Sequence, residues 1–426
     1  MSSKDSPGGL AGAPLPVSVA LDGTLIRTST LFESLVRLVT RRPWLVLMPL
    51  VWILGGKAKL RAELARRVTL NPALLPYDER VLKYLAGEKS RGRKLVLTGA
   101  CAGSSADAVA AHLGLFDEVA APAGNSPSDE LFPRQGSALA ALVRALRPYQ
   151  WSKNLLVFVP IITSNHLFDY AGWLIAFWAA AAFSATASGL YVLNDLADLD
   201  ADRAHPRKRN RPFASGAAPL WAGLVLAPAL LVAGIAVAAA VHVLPIMLLY
   251  AAVSMAYSFG LKQEPLVDVF ALAFLYIVRL YAGGLATGHY VSMWLLAFSA
   301  FLFLALALAK RTTELADAEK AGRKVERRGY APGDLPVLRT MGIASTFVSS
   351  MVLALYVQSP EIAARYASPI ALWALVPLML FWQARMWLAA GRGWMHDDPI
   401  VHAARDWVTW LVVTLILVTI MAAARL

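Results

Sequence analysis

The chain has 426 residues, of which 58% are hydrophobic and 16% are charged, and its mean hydropathy is +0.54. Soluble globular proteins carry about 25% charged residues and fewer apolar ones, so the composition excludes that class and predicts an integral membrane protein. The net charge of +12 does not indicate binding to nucleic acid, because the lysines and arginines cluster between apolar segments, as in cytoplasmic membrane loops. Cys101 is the single cysteine, which excludes an intrachain disulfide.

The first third of the chain has the pattern of a small α/β domain. Residues 1–15 contain Gly, Pro and Ser without an apolar run, so they predict a flexible N-terminus and not a secretory signal peptide. We expect the domain to cover residues 16–122, followed by a linker over 123–145, where Pro, Gly and Ser are frequent. The predicted strands and helix of this domain are residues 17–21, 94–98 and 105–112.

One strongly apolar segment, residues 44–55, lies within this domain. It is about a dozen residues long, whereas a membrane-spanning helix needs about 20. The segment is therefore expected to lie in the membrane interface or to pack against the membrane domain.

Residues 146–426 alternate apolar segments with polar loops and predict an all-α, polytopic membrane bundle of about nine transmembrane helices. The loops after the second, fourth, sixth and eighth spans are the basic ones. The positive-inside rule predicts a protein of the inner membrane with these loops and the N-terminal domain on the cytoplasmic side. The C-terminus is then expected on the outer side. The predicted spans are residues 153–168, 172–193, 219–240, 243–260, 266–286, 291–309, 341–358, 368–390 and 405–424.

The second span ends in a group of acidic residues. If this stretch is helical, Asp195, Asp198 and Asp202 fall on one face. Asn194 precedes them on the same side. Carboxylates near a bilayer are costly and usually functional, and Mg²⁺ binds through carboxylates together with substrate phosphates. The pattern predicts a Mg²⁺ site, and the alternative is a solvated acidic helix end that pairs with the basic stretch 203–211.

Cationic side chains lie at or inside other spans. Arg279 lies well inside the fifth span and needs an anionic partner, either Asp268 about three helical turns earlier or a substrate phosphate. Lys153 and Lys262 lie at span ends, where interface anchoring is the alternative to phosphate binding. A further basic group around Lys310 follows the sixth span, and positive-inside topology explains most of its charge.

The carboxylates and cations together predict one site for a diphosphate attached to a lipid or a sugar, where metal and cations neutralise the leaving group. The motif Asn194-Asp195-x-x-Asp198-x-x-x-Asp202 at the end of a span, with the count of nine spans, resembles the UbiA superfamily of intramembrane prenyltransferases. The resemblance extends from Arg147 to the C-terminus. It implies that Asp195, Asp198 and Asp202 hold Mg²⁺ and are the catalytic residues.

Three finer signatures, in residues 147–154, 205–216 and 257–268, resemble the polyprenyl-phosphate phosphoribosyltransferases. Aromatic prenyltransferases of the superfamily carry a second pair of aspartates, whereas here Asp268 has Leu272 at the matching offset. The resemblance therefore favours the phosphoribosyl branch and leaves Asp268 as a second acidic site. The residues that it implies for binding substrate phosphates are Asn194, Lys153, Lys262, Arg279, Tyr257, Lys208 and Arg211.

The N-terminal domain resembles the haloacid-dehalogenase (HAD) phosphatases, which begin with Asp-x-Asp-Gly-Thr. In this chain Ala20 stands at the nucleophile position, Asp22 at the acid/base position, and Thr98 matches the phosphate-binding hydroxyl. Covalent phosphoryl transfer needs the nucleophile, so the domain is predicted to be inactive as a phosphatase and to act as a scaffold or lipid-phosphate sensor.

The favoured reaction is phosphoribosyl transfer from phosphoribosyl diphosphate to a polyprenyl phosphate, whose own phosphate can be the nucleophile. One alternative is prenyl transfer from a prenyl diphosphate to an aromatic or other small acceptor. Another is a non-catalytic membrane protein that binds lipid phosphates. A transporter would also carry intramembrane charges, but the sequence shows no internal repeat to support it.

Overall fold

The computed structural model describes residues 16–99, 105–120, 132–133, 136–164, 166, 168–320, 322, 329–395 and 398–424. The chain divides into two compact units, each of which is described by itself. The first unit combines Met1–Leu146 with Tyr191–Leu226, and the second combines Arg147–Leu190 with Ala227–Leu426. The predicted flexible N-terminus, residues 1–15, lies outside the described residues, as do residues 123–131 of the predicted linker.

Helices form most of the described chain. In chain order they are α1 (Thr30–Arg41), α2 (Met48–Leu54), α3 (Gly56–Arg67), α4 (Glu79–Ser90), α5 (Ser105–Leu113), α6 (Ala138–Ala145), α7 (Val159–Thr163), α8 (Tyr170–Ala197), α9 (Leu199–Ala204), α10 (Leu220–Ala240), α11 (Leu244–Phe259), α12 (Val267–Thr287), α13 (Met293–Lys320), α14 (Leu335–Val357), α15 (Pro360–Arg365), α16 (Leu375–Gly391), α17 (Pro399–Arg405) and α18 (Trp407–Ala424). Short 3₁₀ segments cover Pro43–Leu45, Pro72–Leu74, Pro148–Phe158, Lys208–Asn210, Leu261–Gln263, Pro332–Asp334 and Pro369–Ala374.

A three-stranded parallel sheet lies in the first unit, in the order β1-β2-β3. Strand β1 is Val17–Ala20, β2 is Leu95–Thr98 and β3 is Glu118–Ala120. In the parallel register of the first two strands, Val17 pairs with Leu95. Strands β1 and β2 lie where the sequence predicts them, whereas β3 is a Glu-Val-Ala run too short to show a strand alternation.

The core of the first unit is built on one face of this sheet. Val19, Leu95 and Leu97 are fully buried, because alternate residues of a strand point to the same face. They belong to one hydrophobic cluster with Leu25 and Val81. The small α/β pattern of the sequence thus corresponds to a sheet and helices with their own apolar core.

Helix α6 lies within the predicted linker. Ser137 caps it, because the Ser137 side chain accepts a hydrogen bond from the backbone N–H of Ala140. Ala141 and Ala145 of this helix are buried. The capping serine and the small apolar residues explain why this part of the linker is helical.

Seven described helices are long and apolar enough to cross a membrane. They are α8, α10, α12, α13, α14, α18 and the combined segment Pro369–Gly391, which joins the last 3₁₀ segment to α16. The protein is therefore a multi-pass membrane protein, as the sequence predicts. Among the described residues seven helices meet this length and composition, whereas the sequence predicts about nine spans.

Two predicted spans account for this difference. The first predicted span, residues 153–168, is a 3₁₀ segment, Pro148–Phe158, followed by the five-residue helix α7. Pro160 lies at the start of α7 and has no N–H with which to continue a helix from the preceding segment. The fourth predicted span is α11, whose 16 residues rise about 24 Å, less than the roughly 30 Å hydrocarbon core.

Helix α13 continues well beyond its predicted end at residue 309. Leu315 and Ala318 are buried, so an apolar stripe extends past the basic residues and keeps the chain helical. Lys310, predicted to follow the span, is therefore a helical residue within α13.

Two glycines allow close approaches, one in each unit. Gly216 has a φ of +73°, and a Cβ there would lie 2.8 Å from the Cβ of Arg27. On α12, a Cβ at Gly283 would collide with the backbone of Val157 in the 3₁₀ segment Pro148–Phe158. Any larger residue at either position would push these elements apart.

Candidate active site

The acidic residues of the first unit lie on two helices and not on one. Helix α8 ends at Ala197, and Asp198 (φ −90°, ψ 12°) is the N-cap of the short helix α9. The stretch from Asp195 to Asp202 is therefore two helices with a turn at Asp198 and not one continuous helix. Aspartate favours such a cap position because its short polar side chain competes with helical backbone hydrogen bonds.

Asp195 and Asp202 nevertheless converge, because both contact Arg211. The Nη1 atom of Arg211 lies 3.2 Å from Oδ1 of Asp195 and 2.7 Å from Oδ2 of Asp202. Both carboxylates are buried. Burial raises the pKa of Asp202 above its ordinary value, while the charge of Arg211 acts in the opposite direction.

Asp198 lies beside this pair and is only partly buried. The side-chain amide of Asn194 donates a hydrogen bond of 3.4 Å to its carboxylate. Lys208 is exposed on a 3₁₀ turn, and its charge also acts on Asp202. The first unit thus brings together five of the predicted site residues: Asn194, Asp195, Asp202, Lys208 and Arg211, with Asp198 in contact with Asn194.

The donor chemistry of this end of α8 suits a magnesium ion that arrives with a phosphate substrate. In the described part of the chain, no cluster of three or more His, Cys, Asp or Glu side chains is close enough to hold a metal. Magnesium, however, is commonly bound by one or two carboxylates together with substrate phosphates and water. Asp195 and Asp202, which share one guanidinium, satisfy that smaller requirement.

Buried ion pairs tie helix α9 to helix α1 within the first unit. Arg203 makes a two-pronged contact with Glu33, at 3.0 and 2.7 Å, and Arg37 makes another with Asp200. Glu33 is fully buried, and although burial alone would raise its pKa, Arg203 and Arg37 hold that pKa below its ordinary value. This network is not evident along the sequence, because its members are about 170 residues apart.

The predicted phosphatase residues have contacts inside the first unit. The Asp22 carboxylate accepts hydrogen bonds from the backbone N–H of Thr30, at 2.8 Å, and from its hydroxyl. The Thr98 hydroxyl donates to the backbone oxygen of Val19, at 3.1 Å. Asp22 also lines a cavity of about 270 Å³ with Arg27. The inactive-phosphatase assignment remains a prediction.

In the second unit, Arg279 is buried among neutral groups. Its Nε donates to Oδ1 of Asn154 at 2.8 Å, and its Nη2 donates to the hydroxyl of Tyr250 at 2.9 Å. Its guanidinium also donates to the backbone oxygen of Leu275 and lies 4.6 Å from the ring centroid of Tyr250. The expected Asp268–Arg279 pair is wrong, because neutral oxygens and aromatic rings surround this cation instead.

Asp268 pairs with Arg311, which follows Lys310 in the basic group predicted after the sixth span. The Nη2 atom of Arg311 lies 2.6 Å from Oδ2 of Asp268, and both side chains are fully buried. The hydroxyl of Tyr330 donates to the other carboxylate oxygen. Asp268 therefore joins α12 to α13 through a buried ion pair, and its predicted role as a second acidic site stays a prediction.

Lys153 shares a carboxylate with a second lysine. Its Nζ lies 2.7 Å from Oδ2 of Asp398, and the Nζ of Lys310 lies 3.2 Å from the same atom. Burial alone would raise the pKa of Asp398, but Lys310 and Lys153 hold it well below its ordinary value. The two ammonium groups thus meet at one buried carboxylate. Asp398 was missed because, in the sequence, it is only an N-cap before Pro399.

Tyr257 and Lys262 also belong to the second unit. Tyr257 lies near the end of α11 and Lys262 on the 3₁₀ turn that follows, and both side chains are partly buried. Their predicted convergence with the acidic residues of the first unit stays a prediction.

Comparison with known proteins agrees with this architecture. An uncharacterized protein, y4nM, from Sinorhizobium fredii is 31% identical over 94% of this chain and 90% of that protein. The decaprenyl-phosphate phosphoribosyltransferase of Mycolicibacterium smegmatis is 37% identical over 47% of this chain and 66% of its own length. A solved UbiA homolog from Archaeoglobus fulgidus, bound to GPP and Mg²⁺, aligns with a TM-score of 0.49 at 17% identity, covering 67% of this chain and 100% of that one. The UbiA prenyltransferase family pattern matches residues 156–398, so the chain belongs to the UbiA prenyltransferase family.

Proposed function

We propose that this protein is a Mg²⁺-dependent membrane transferase that moves a phosphoribosyl group from phosphoribosyl diphosphate to a polyprenyl phosphate. The observation that carries the proposal is the convergence of Asp195 and Asp202 on Arg211 at the end of a membrane helix. Relatives from Mycolicibacterium smegmatis and Corynebacterium glutamicum that match about half of the chain are named decaprenyl-phosphate phosphoribosyltransferases, which supports this choice of substrates.

The acidic end of α8 would receive the donor diphosphate. Asp195 and Asp202 would hold Mg²⁺ there, and the ion would neutralise charge on the diphosphate leaving group. Asp198 would complete the set with Asn194, which orients its carboxylate. Because the lipid phosphate can itself attack, the reaction needs no protein base.

Arg211 would exchange partners when the donor binds. With no donor, its guanidinium compensates two buried carboxylates. A guanidinium matches phosphate oxygens in a two-pronged geometry, so Arg211 would bind the diphosphate, and Asp195 and Asp202 would then be available to hold Mg²⁺. Lys208, exposed on the neighbouring turn, would add charge for the same phosphates.

The cations of the second unit would bind substrate phosphate as well. Lys153 and Lys310 both contact Asp398, so two ammonium groups lie together where an incoming phosphate could bind them. Lys262, Tyr257 and Arg279 complete the proposed set, with Arg279 held in place by Asn154.

The reaction is tested with purified protein, Mg²⁺, decaprenyl phosphate and radiolabelled phosphoribosyl diphosphate, by following label into the organic phase. We expect transfer by the wild type and loss of it in Asp198→Asn, with folding retained. The matched control is Asp107→Asn, an exposed residue in the first turn of α5, which should keep the wild-type rate. A near-normal rate in Asp198→Asn would contradict the metal-site assignment.

Prenyl transfer is the second candidate, and the UbiA prenyltransferase family pattern itself favours it. A prenyl diphosphate would occupy the same carboxylate and arginine groups, and an aromatic or other small acceptor would capture the prenyl group. If label from a prenyl diphosphate enters the small acceptor, and label from phosphoribosyl diphosphate never enters lipid, this second reaction replaces the first.

We place the protein in the inner membrane with the acidic end of α8 facing the cytoplasm. The basic stretch that follows it, residues 203–211, supports this orientation because Lys and Arg concentrate in cytoplasmic loops.

A further inference from the structure

The segment Pro43–Leu54 exposes a row of large apolar side chains. Trp44 is 74% exposed, Leu47 68%, Leu50 64% and Leu54 87%. Val46, Val51 and Ile53 are also exposed, each by about half. Single exposed apolar residues are common on protein surfaces, whereas a contiguous apolar surface of this kind marks a contact with a membrane or a partner.

The opposite face of this segment is packed. Trp52 is 5% exposed and lies in a cluster with Leu38 of α1 and with Leu60 and Leu64 of α3. Arg67 covers its ring, at 4.6 Å from the centroid. The segment is thus folded in place with one face buried and the other presented outward.

Contacts within the first unit place the start of the segment near a membrane helix. Arg41, two residues before Pro43, has its Nη2 atom 3.0 Å from Oδ2 of Asp200. Asp200 follows Ala197, the last residue of the membrane helix α8, by three residues, a helical rise of about 5 Å. The apolar segment therefore begins close to the level at which α8 leaves the bilayer.

The surrounding charges suit an anionic lipid surface. Residues 41–61 contain five basic residues and no acidic residue. Arg42, Lys57 and Lys59 are exposed on either side of the apolar row. Basic residues that flank a short apolar face are typical of helices that lie in the interface and bind anionic headgroups.

We propose that Pro43–Leu54 is embedded in the interface of the cytoplasmic leaflet, with its apolar row among acyl chains and its basic flanks on anionic headgroups. The segment is too short to span the bilayer, so it lies along the surface. It would hold helix α1, and with it the Arg37–Asp200 and Arg203–Glu33 ion pairs, at a fixed depth beside the acidic residues. This inference does not depend on the proposed reaction.

The test uses the full chain, whose single cysteine allows specific labelling. In a Cys101→Ser background, Leu50→Cys is labelled with an environment-sensitive fluorophore and reconstituted into nanodiscs that contain phosphatidylglycerol. Leu174→Cys on α8, 59% exposed, serves as the lipid-facing control, and Arg91→Cys, on the turn after α4, serves as the aqueous control.

We expect shallow spin-labelled lipid to quench the label at Leu50 several-fold more than aqueous iodide does. The label at Leu174 should show the same preference, and the label at Arg91 the opposite one. Replacing phosphatidylglycerol by neutral lipid should weaken this lipid quenching. A label that iodide reaches as readily as at Arg91 would overturn the proposal, as would a label shielded from both quenchers, which would indicate a protein partner. If Leu50→Cys does not fold, Val51→Cys, 57% exposed, makes the same measurement.

Discussion

Arg211 holds together two aspartates that come from different helices. Asp195 ends α8 and Asp202 lies on α9, yet both carboxylates contact the same Nη1 atom. The aspartate side chains are 2–3% exposed, whereas the arginine is 28% exposed. Because Arg211 is reachable from solvent, an incoming anionic ligand can draw it away from the two aspartates. The buried carboxylates would then need another cation to compensate their charge.

Arg211→Met should therefore destabilise the protein by about 3–5 kcal/mol, the usual cost of leaving buried charges without their partner. The thermal unfolding midpoint in detergent measures this loss. Adding Mg²⁺ should raise the midpoint of the variant more than that of the wild type, because the metal can replace the missing charge. Equal shifts would contradict the assignment of these carboxylates to a metal.

Asp398 gives a pH dependence whose sign follows from its lowered pKa. Its ordinary pKa is 3.8, and Lys310 and Lys153 hold the folded-state pKa below that value. Its contribution to stability is therefore fully present above pH 3.8 and is lost as the pH falls towards the folded-state pKa. The difference in unfolding midpoint between wild type and Asp398→Asn should stay constant from pH 6 to about pH 4 and then shrink as the pH is lowered further towards the folded-state pKa. A difference that stays constant over the whole range would show that the carboxylate keeps its ordinary pKa.

Helix α9 is too short to be stable by itself, since isolated helices below about 12 residues are marginal. Its six residues are held from outside by Glu33 and Arg37 of α1, through contacts with Arg203 and Asp200. Because α9 carries Asp202, these ion pairs position one of the proposed metal ligands.

Glu33→Gln should lower stability by about 3–5 kcal/mol, because Arg37 and Arg203 then lose a buried counter-charge. Transfer should also need more Mg²⁺ for half-maximal rate, since Asp202 is less well positioned. The matched control is Lys89→Gln, which breaks an exposed pair with Asp117 and should change little. A variant that loses stability but keeps the Mg²⁺ requirement of the wild type would reduce the network to a purely structural role.

Each of the two units contains buried ion pairs, and these pairs lie in different places relative to the proposed metal ligands. In the first, the pairs border the proposed metal ligands. In the second, Asp268 and Arg311 are fully buried between α12 and α13, the Tyr330 hydroxyl donates to Asp268, and Glu314 contacts Arg311. The relative from Sinorhizobium fredii matches 94% of the chain, so it shares both units and not the membrane helices alone.

Asp268→Asn should destabilise the second unit before it affects chemistry, because Arg311 then loses its fully buried counter-charge and keeps only Glu314, which is 34% exposed. We expect a loss of about 3–5 kcal/mol, measured by thermal unfolding. The double variant Asp268→Asn with Arg311→Met should recover much of that stability, since both charges are then removed. A stable but inactive Asp268→Asn would instead restore the second acidic site that the sequence predicts.

The sequence determined the membrane class, the multi-pass helical fold and the resemblance to the UbiA family. These follow from composition, from long apolar runs and from a short local motif, all of which are readable along the chain. It also located the acidic residues at the end of a span and the strands β1 and β2. Local signals of this kind survive folding because they depend on neighbouring residues.

Only the tertiary structure decided which charges meet. Arg279 donates hydrogen bonds to Asn154 and Tyr250. Asp268 pairs with Arg311, and Lys153 pairs with Asp398. These partners are 29 to 245 residues apart. The break at Asp198 likewise depends on contacts that hold α9 from outside. A buried charge must find a partner wherever the packed helices bring one, so spacing along the chain identifies the charged residues but not their pairing.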